Sequence, residues 1–192
     1  MDITNSTLVI VVAIVVLVII GLVSMALVRR WRTERLQEQF GPEYEHAINE
    51  TGDQRQAESE LEKRIAHVKT LNIRPLTAEE VNRYALEWQA TQREFVDEPL
   101  KALQKADRLI REAMKAKGYP VEDFEQRVAD ISVDYPELVT DYRGMHLIAI
   151  KEGKDKVSTE EMRQAMVHGR ALFESLIKQE SKEENINQKE RI

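Results

Sequence analysis

The stretch TAEEVNRYALEWQATQREF, residues 77–95, decides the fold class. Its opening Thr77-Ala78-Glu79-Glu80 is a capping box. A threonine hydroxyl can accept from the backbone N–H three residues on, while the Glu80 carboxylate reaches back to the Thr77 N–H, and together they start an α-helix. From there Val81, Tyr84, Trp88, Thr91 and Phe95 recur at spacings of three and four, which puts them on one helix face.

The same pattern extends in both directions. Upstream, Asp53 is a plausible N-cap for a helix whose stripe is Ala57, Leu61, Ile65, Val68 and Leu71. Downstream, Leu100, Leu103, Ala106, Ile110 and Met114 follow Pro99, and Gly118 is placed to end that helix in the left-handed conformation. Phe124, Val128 and Ile131 mark a short helix before Asp134-Tyr135-Pro136-Glu137, which reads as another capping pattern with proline in the first turn. Leu138, Tyr142, Met145 and Ala149 form the next stripe, with Val139, His146 and Ile150 beside it. After a polar loop at 151–157, Ser158-Thr159-Glu160-Glu161 is a third capping box, leading into Met162, Met166, Phe173, Leu176 and Ile177. No segment alternates apolar and polar residues for long enough to suggest a sheet, so the domain reads as all-α.

The N-terminus is of another kind. Residues 8–28 (LVIVVAIVVLVIIGLVSMALV) carry no charge and would span about 32 Å as a helix, the thickness of a bilayer core. Hydrocarbon tolerates only a backbone that bonds internally, so a single span is helical. The flank before it has no Lys or Arg, whereas Arg29, Arg30, Arg32 and Arg35 follow it, with Trp31 among them. That asymmetry puts the N-terminus outside and the rest in the cytoplasm, at the inner membrane of a cell, with these five residues at the membrane interface. The rival reading is a cleaved signal peptide ending near Ser24-Met25-Ala26, which would leave an extracytoplasmic domain. The long run, the missing basic n-region and the arginine stop favour an uncleaved anchor.

The expected organisation is a short extracytoplasmic N-terminus at 1–7, a transmembrane helix at 8–28, a juxtamembrane helical stalk or coiled-coil arm at 29–74, a small helical bundle at 75–177 and a polar disordered tail at 178–192. The stalk reading rests on a Glu-, Gln- and Arg-rich segment with a narrow apolar stripe.

Composition narrows the function classes. The 192 residues contain no cysteine, which excludes disulfide scaffolds, thiolate metal sites and cysteine nucleophiles. The average of 42% hydrophobic residues with a mean hydropathy of −0.47 mixes an aliphatic anchor with a charged body. All 28 Lys and Arg lie after the run, against 33 of the 34 acids, so the body is acidic and a nucleic-acid partner is not expected. No G-x-G pair occurs among seven glycines, which argues against a phosphate loop.

Four histidines are the candidates for chemistry. Glu43-x-x-His46 has the spacing of a di-iron helix, but no second such pair exists, so no metal or other cofactor is expected. His146 stands one turn after Tyr142, with Asp141 adjacent, and these three define a candidate polar pocket without an evident nucleophile. No catalytic residue is assigned. Tyr84, Trp88 and Phe95 read as core, and Arg93, Arg108, Arg111 and Arg127 as parts of mixed, solvated faces.

Three segments, FGPEYEHAINETGD (40–53), NIRPLTAEE (72–80) and KGYPVEDFEQRVADISVDYPELVTDYR (117–143), together resemble a family of uncharacterised bacterial proteins of actinobacterial type with one N-terminal hydrophobic segment. The resemblance covers about residues 40–177. It implies a bacterial source and a single-pass architecture, and it carries no activity, ligand or catalytic residue. The functional expectation is therefore a membrane-anchored cytoplasmic helical protein that binds another protein or itself, as an adaptor or scaffold. The alternatives are a ligand-sensing or enzymatic domain using the Tyr142/His146 pocket, or the extracytoplasmic domain named above.

Overall fold

The computed structural model describes residues 2–151 and 157–178, with side chains from residue 15 onward. The chain is all-helical, with no strand among the described residues. In order the helices are α1 (Asp2–Phe40), α2 (Pro42–Thr51), α3 (Gln54–Val68), α4 (Ala78–Glu94), α5 (Pro99–Lys117), α6 (Phe124–Asp134), α7 (Val139–Ala149) and α8 (Thr159–Lys178), with a 3-10 turn at Pro136–Leu138 before α7.

Local signals set most of the boundaries. Both halves of the Thr77 capping box form, with Glu80 N–H donating to the Thr77 hydroxyl and Thr77 N–H to the Glu80 carboxylate. Ser158 and Glu161 repeat the arrangement ahead of α8, and the Asp53 carboxylate accepts from the Gln56 N–H. Gly118 ends α5 at φ 104°, where a Cβ would collide with the Asn72 carbonyl oxygen. The Asp134 capping pattern does not form. Tyr135 occupies the boundary without a side-chain cap, because the Asp134 carboxylate is engaged by the Tyr119 hydroxyl instead.

The main core lies around α5, which packs on α4, α7 and α8. Leu103, Ala106, Ile110 and Met114 of α5 meet Tyr84 and Trp88 of α4, Met145 of α7 and Leu172, Phe173 and Leu176 of α8. Trp88 and Phe173 stack with ring centroids 4.3 Å apart. Gly169 lets α8 approach α7 closely, since any Cβ there would overlap the Met145 sulfur.

The stalk expected at 29–74 is replaced by a packed layer. Gly41, at φ 47°, turns the chain after α1, and Pro42 starts α2 in the position where its missing N–H costs nothing. Gly52 ends α2 in the left-handed conformation, and Asp53 at once caps α3. The resulting hairpin buries Leu36, Phe40, Tyr44, Ala47, Ala57, Leu61 and Ile65 in a second core. Glu58 ties it together, accepting from Thr33, Tyr44 and Gln54 at 2.7, 3.0 and 2.9 Å. The stripe looked narrow because it is shared among three short faces that meet only after two bends.

α1 runs unbroken from residue 2 to Phe40, and from Val15 to Val28 every side chain is exposed, on all sides of the helix. Among the described residues, no helix is long and apolar enough to cross a membrane. Residues 8–14 of the apolar run lie outside the described side chains, as does the expected tail at 178–192 apart from Lys178, which ends α8.

Candidate functional site

Several buried polar clusters interrupt the apolar packing, and two of them hold the candidate residues. The first joins the α1–α3 layer to the bundle. Glu43, in the first turn of α2, is fully buried. Its Oε1 accepts from Arg64 Nη1 of α3 at 2.8 Å and from Arg143 Nη2 of α7 at 2.7 Å, and its Oε2 accepts from Arg143 Nη1 at 2.7 Å. Burial pushes the Glu43 carboxyl upward, but the Arg143 and Arg64 guanidiniums outweigh it and hold the group below the usual carboxylate range. Arg64 Nη1 also reaches Ser132 Oγ of α6 at 3.3 Å.

Beside this clasp sits Asp130 of α6, also fully buried. Its Oδ1 accepts from Gln126 at 2.8 Å and stands 3.6 Å from His67 Nε2, while its Oδ2 has no hydrogen-bond partner. Burial raises its pKa, and Gln126, His67 and Arg64 oppose that only in part.

The second cluster lies within the bundle. Tyr142, fully buried, accepts at its hydroxyl from Arg127 Nε at 2.8 Å, and Arg127 Nη1 donates to the Val121 carbonyl at 2.6 Å. Burial, and then the charge of Asp107, push the Tyr142 hydroxyl up to about 12, against the pull of Arg127. One turn on, His146 Nδ1 is 3.0 Å from Asp107 Oδ1 of α5, and its ring stacks on Phe124 with centroids 3.9 Å apart. A carboxylate only accepts, so a hydrogen bond to it is one that the imidazole donates from Nδ1. Chemically this is an oriented imidazole, one half of a general-base arrangement.

The structure thus brings together Tyr142 and His146, with ring centroids 6.4 Å apart, but not Asp141. Asp141 is one residue, or about 100°, around α7 from Tyr142. It faces α8, where it pairs with His168 Nδ1 at 2.6 Å. The carboxylate that serves His146 is Asp107, 39 residues away. The available sequence signal was an acid set between the apolar residues of a stripe, since Asp107 follows Leu103 by four and precedes Ile110 by three. Arg127, read as part of a solvated face, is buried against Tyr142.

Glu43 and His46 do not converge. Glu43 is held by the two arginines, and His46 Nε2 lies 3.4 Å from Glu50 on the exposed side. Among the described residues, no group of three or more His, Cys, Asp or Glu side chains is placed to hold a metal ion.

Of the interface residues, Arg29, Arg30, Trp31, Arg32 and Arg35 are all exposed, Trp31 at 69%. Two of the four arginines are engaged within the protein, Arg30 with Glu34 at 2.8 Å and Arg32 with Glu62 of α3 at 2.6 Å.

No family model, no curated protein and no solved structure matches the chain, so what its motifs do must be read from their own geometry.

Proposed function

We propose that the chain is a single-pass membrane-anchored protein whose helical body lies in the cytoplasm and serves as a protein-interaction or scaffold module, with a protein partner or a second copy of itself. The observation that carries the reading is α1. Val15 to Val28 expose aliphatic side chains all round the helix, a surface that water does not favour and that the body's two cores leave uncovered. A bilayer taking up residues 8–28 would cover it. Trp31, Arg29 and Arg35 then fall at headgroup level, and the positive flank sets the cytoplasmic side.

Reporter fusions test the topology. A cytoplasmic reporter fused after Ile192 is expected to be active. Alkaline phosphatase activity at the same position would reverse the orientation. Crosslinking of the full-length chain in cells tests the scaffold reading, and a monomer band alone under several crosslinking chemistries would count against it.

The Asp107–His146 pair favours a second reading, a body that senses a ligand or works as an enzyme through the Tyr142/His146 cluster. Exchange of His146 for Asn separates the two. Under the scaffold reading it leaves the crosslinking pattern unchanged.

A further inference from the structure

Arg64 of α3 stands between two fully buried carboxylates, Glu43 of α2 and Asp130 of α6, and holds an ion pair with only the first. Its Nη1 donates to Glu43 Oε1 at 2.8 Å and to Ser132 Oγ, close to Asp130 on α6, at 3.3 Å. Its Nε is buried and donates to nothing, while Asp130 Oδ2 is buried and accepts from nothing. A buried donor and a buried acceptor that both go unmet are each unfavourable. Glu43 does not depend on Arg64, because the Arg143 fork reaches both of its oxygens at 2.7 Å.

The charged and titratable groups around Asp130 come from several elements. α3 brings Arg64 and His67, whose Nε2 is 3.6 Å from Asp130 Oδ1. The loop before α6 brings Tyr119, whose hydroxyl is given to Asp134. Glu43 and Arg143, of α2 and α7, lie behind Arg64, and Glu137 of the 3-10 turn lies against Gly41. α1 meets α6 through Val133 and the apolar Leu36 cluster. The His67 side chain is 44% exposed, so it connects the buried carboxyl with water. Burial raises the Asp130 pKa, whereas the two arginines hold Glu43 low, so one carboxyl of the seam exchanges a proton in a range where the other stays charged.

We propose that Arg64 is a proton-operated switch between the two helices. With Asp130 protonated it pairs with Glu43, the arrangement seen here, and with Asp130 ionised its Nε turns to Asp130 Oδ2 and leaves Glu43 to Arg143 alone. The proton comes from water and returns to it by way of His67. In the ionised state each buried carboxylate then has its own guanidinium, and in the protonated state Asp130 carries no charge to be met. Two arrangements that both avoid an unpaired buried charge make a bistable element. As pH rises, the tie made by Arg64 passes from α2, inside the layer that continues α1, to α6, across the seam to the bundle.

The test follows the full-length, isotope-labelled chain in a nonionic micelle across pH by NMR. The Asp130 carboxyl carbon is expected to titrate above the ordinary aspartate range. The Arg64 Nε resonance and the Glu43 carboxyl carbon are expected to step at the same midpoint, although Glu43 itself titrates lower. Above that midpoint, exchange of the Arg64 Nε proton with water, taken relative to the exposed Arg55, should slow about tenfold or more, the worth of one charge-assisted hydrogen bond. Asp130→Asn keeps the shape of the side chain and is expected to abolish both steps. Glu50→Gln, which alters an exposed acid beside His46, should leave them in place. Arg64 or Glu43 resonances that stay flat through the Asp130 titration, steps that survive in Asp130→Asn, or an Asp130 carboxyl that titrates in the ordinary range would overturn the proposal.

Discussion

Glu43→Gln tests how the α1–α3 layer is joined to the bundle. The native carboxylate receives three charge-assisted hydrogen bonds of 2.7–2.8 Å from two arginines. The amide keeps one acceptor oxygen but turns an NH2 group toward a guanidinium, leaving two cations facing no charge. Removing one partner of a buried ion pair costs about 3–5 kcal/mol. The Arg64 and Arg143 side chains keep 10% and 18% of their exposure, so water takes back part of the loss and the expected cost is near the lower end, about 3 kcal/mol. Replacing the whole triad, Glu43→Leu with Arg64→Met and Arg143→Met, should cost less than the single change, because no charge is then left buried.

Urea unfolding of the full-length chain in a nonionic micelle provides the assay. The chain has two tryptophans, Trp31 and Trp88, so a Trp31→Phe background leaves Trp88, stacked on Phe173, as the core reporter. Amide exchange in α2 and α3 adds a readout of the joint itself. The Glu43 pKa lies below its ordinary value, so its contribution is present above the unfolded carboxylate value and is lost as pH falls through the folded one. The gap between parent and Glu43→Gln should therefore close in acid. A single variant within about 1 kcal/mol of the parent, or a triad variant less stable than the single one, would refute the reasoning.

Three further outcomes are expected. Gly118→Ala must adopt φ 104° and collide with the Asn72 carbonyl, so it should lower stability by at least about 2 kcal/mol, whereas Gly52→Ala, at φ 68° with open space around it, should cost only about 1 kcal/mol, both read from urea midpoints. Asp130→Asn should stabilise the protein at neutral pH, and the gain should vanish as pH falls toward the unfolded carboxylate value. The folded carboxyl has a raised pKa, so ionising it above that range works against folding, which a stability profile against pH would show. Gly169→Ala should be destabilising alone, because the Met145 thioether has to swing aside, and less so on top of Met145→Ala, giving a coupling of about 1 kcal/mol in a double-mutant cycle.

Features legible in the sequence were those decided within a turn or two of chain. The Thr77 and Ser158 boxes, the Asp53 cap and the Gly118 terminus each depend on partners no more than a few residues away, and all formed. The long apolar stripes likewise named most of the main core. What escaped depends on contacts across the fold. Glu43 meets Arg143 at a separation of 100 residues, and nothing in either helix marks the partner. The 29–74 segment looked like an arm because the partners of Leu36, Phe40 and Tyr44 are Ala57, Leu61 and Ile65 of α3, which reach them only after the bends at Gly41 and Gly52. In the candidate pocket, adjacency in sequence pointed to Asp141, yet adjacent helix positions diverge by about 100°, and the bundle supplies Asp107 instead.

The continuity of α1 has a mechanical consequence. Leu36 and Phe40 are locked into the second core on the same rigid rod whose aliphatic part ends at Val28, about 18 Å away. No hinge separates them, so whatever grips the aliphatic part also sets the heading of the body. One residue inserted between Val28 and Arg32 would swing every face of the body by about 100° about the rod, while a seven-residue insertion would nearly restore the heading and lift the body by about 10 Å. Anything that held the N-terminal segment would therefore align the body as well as hold it.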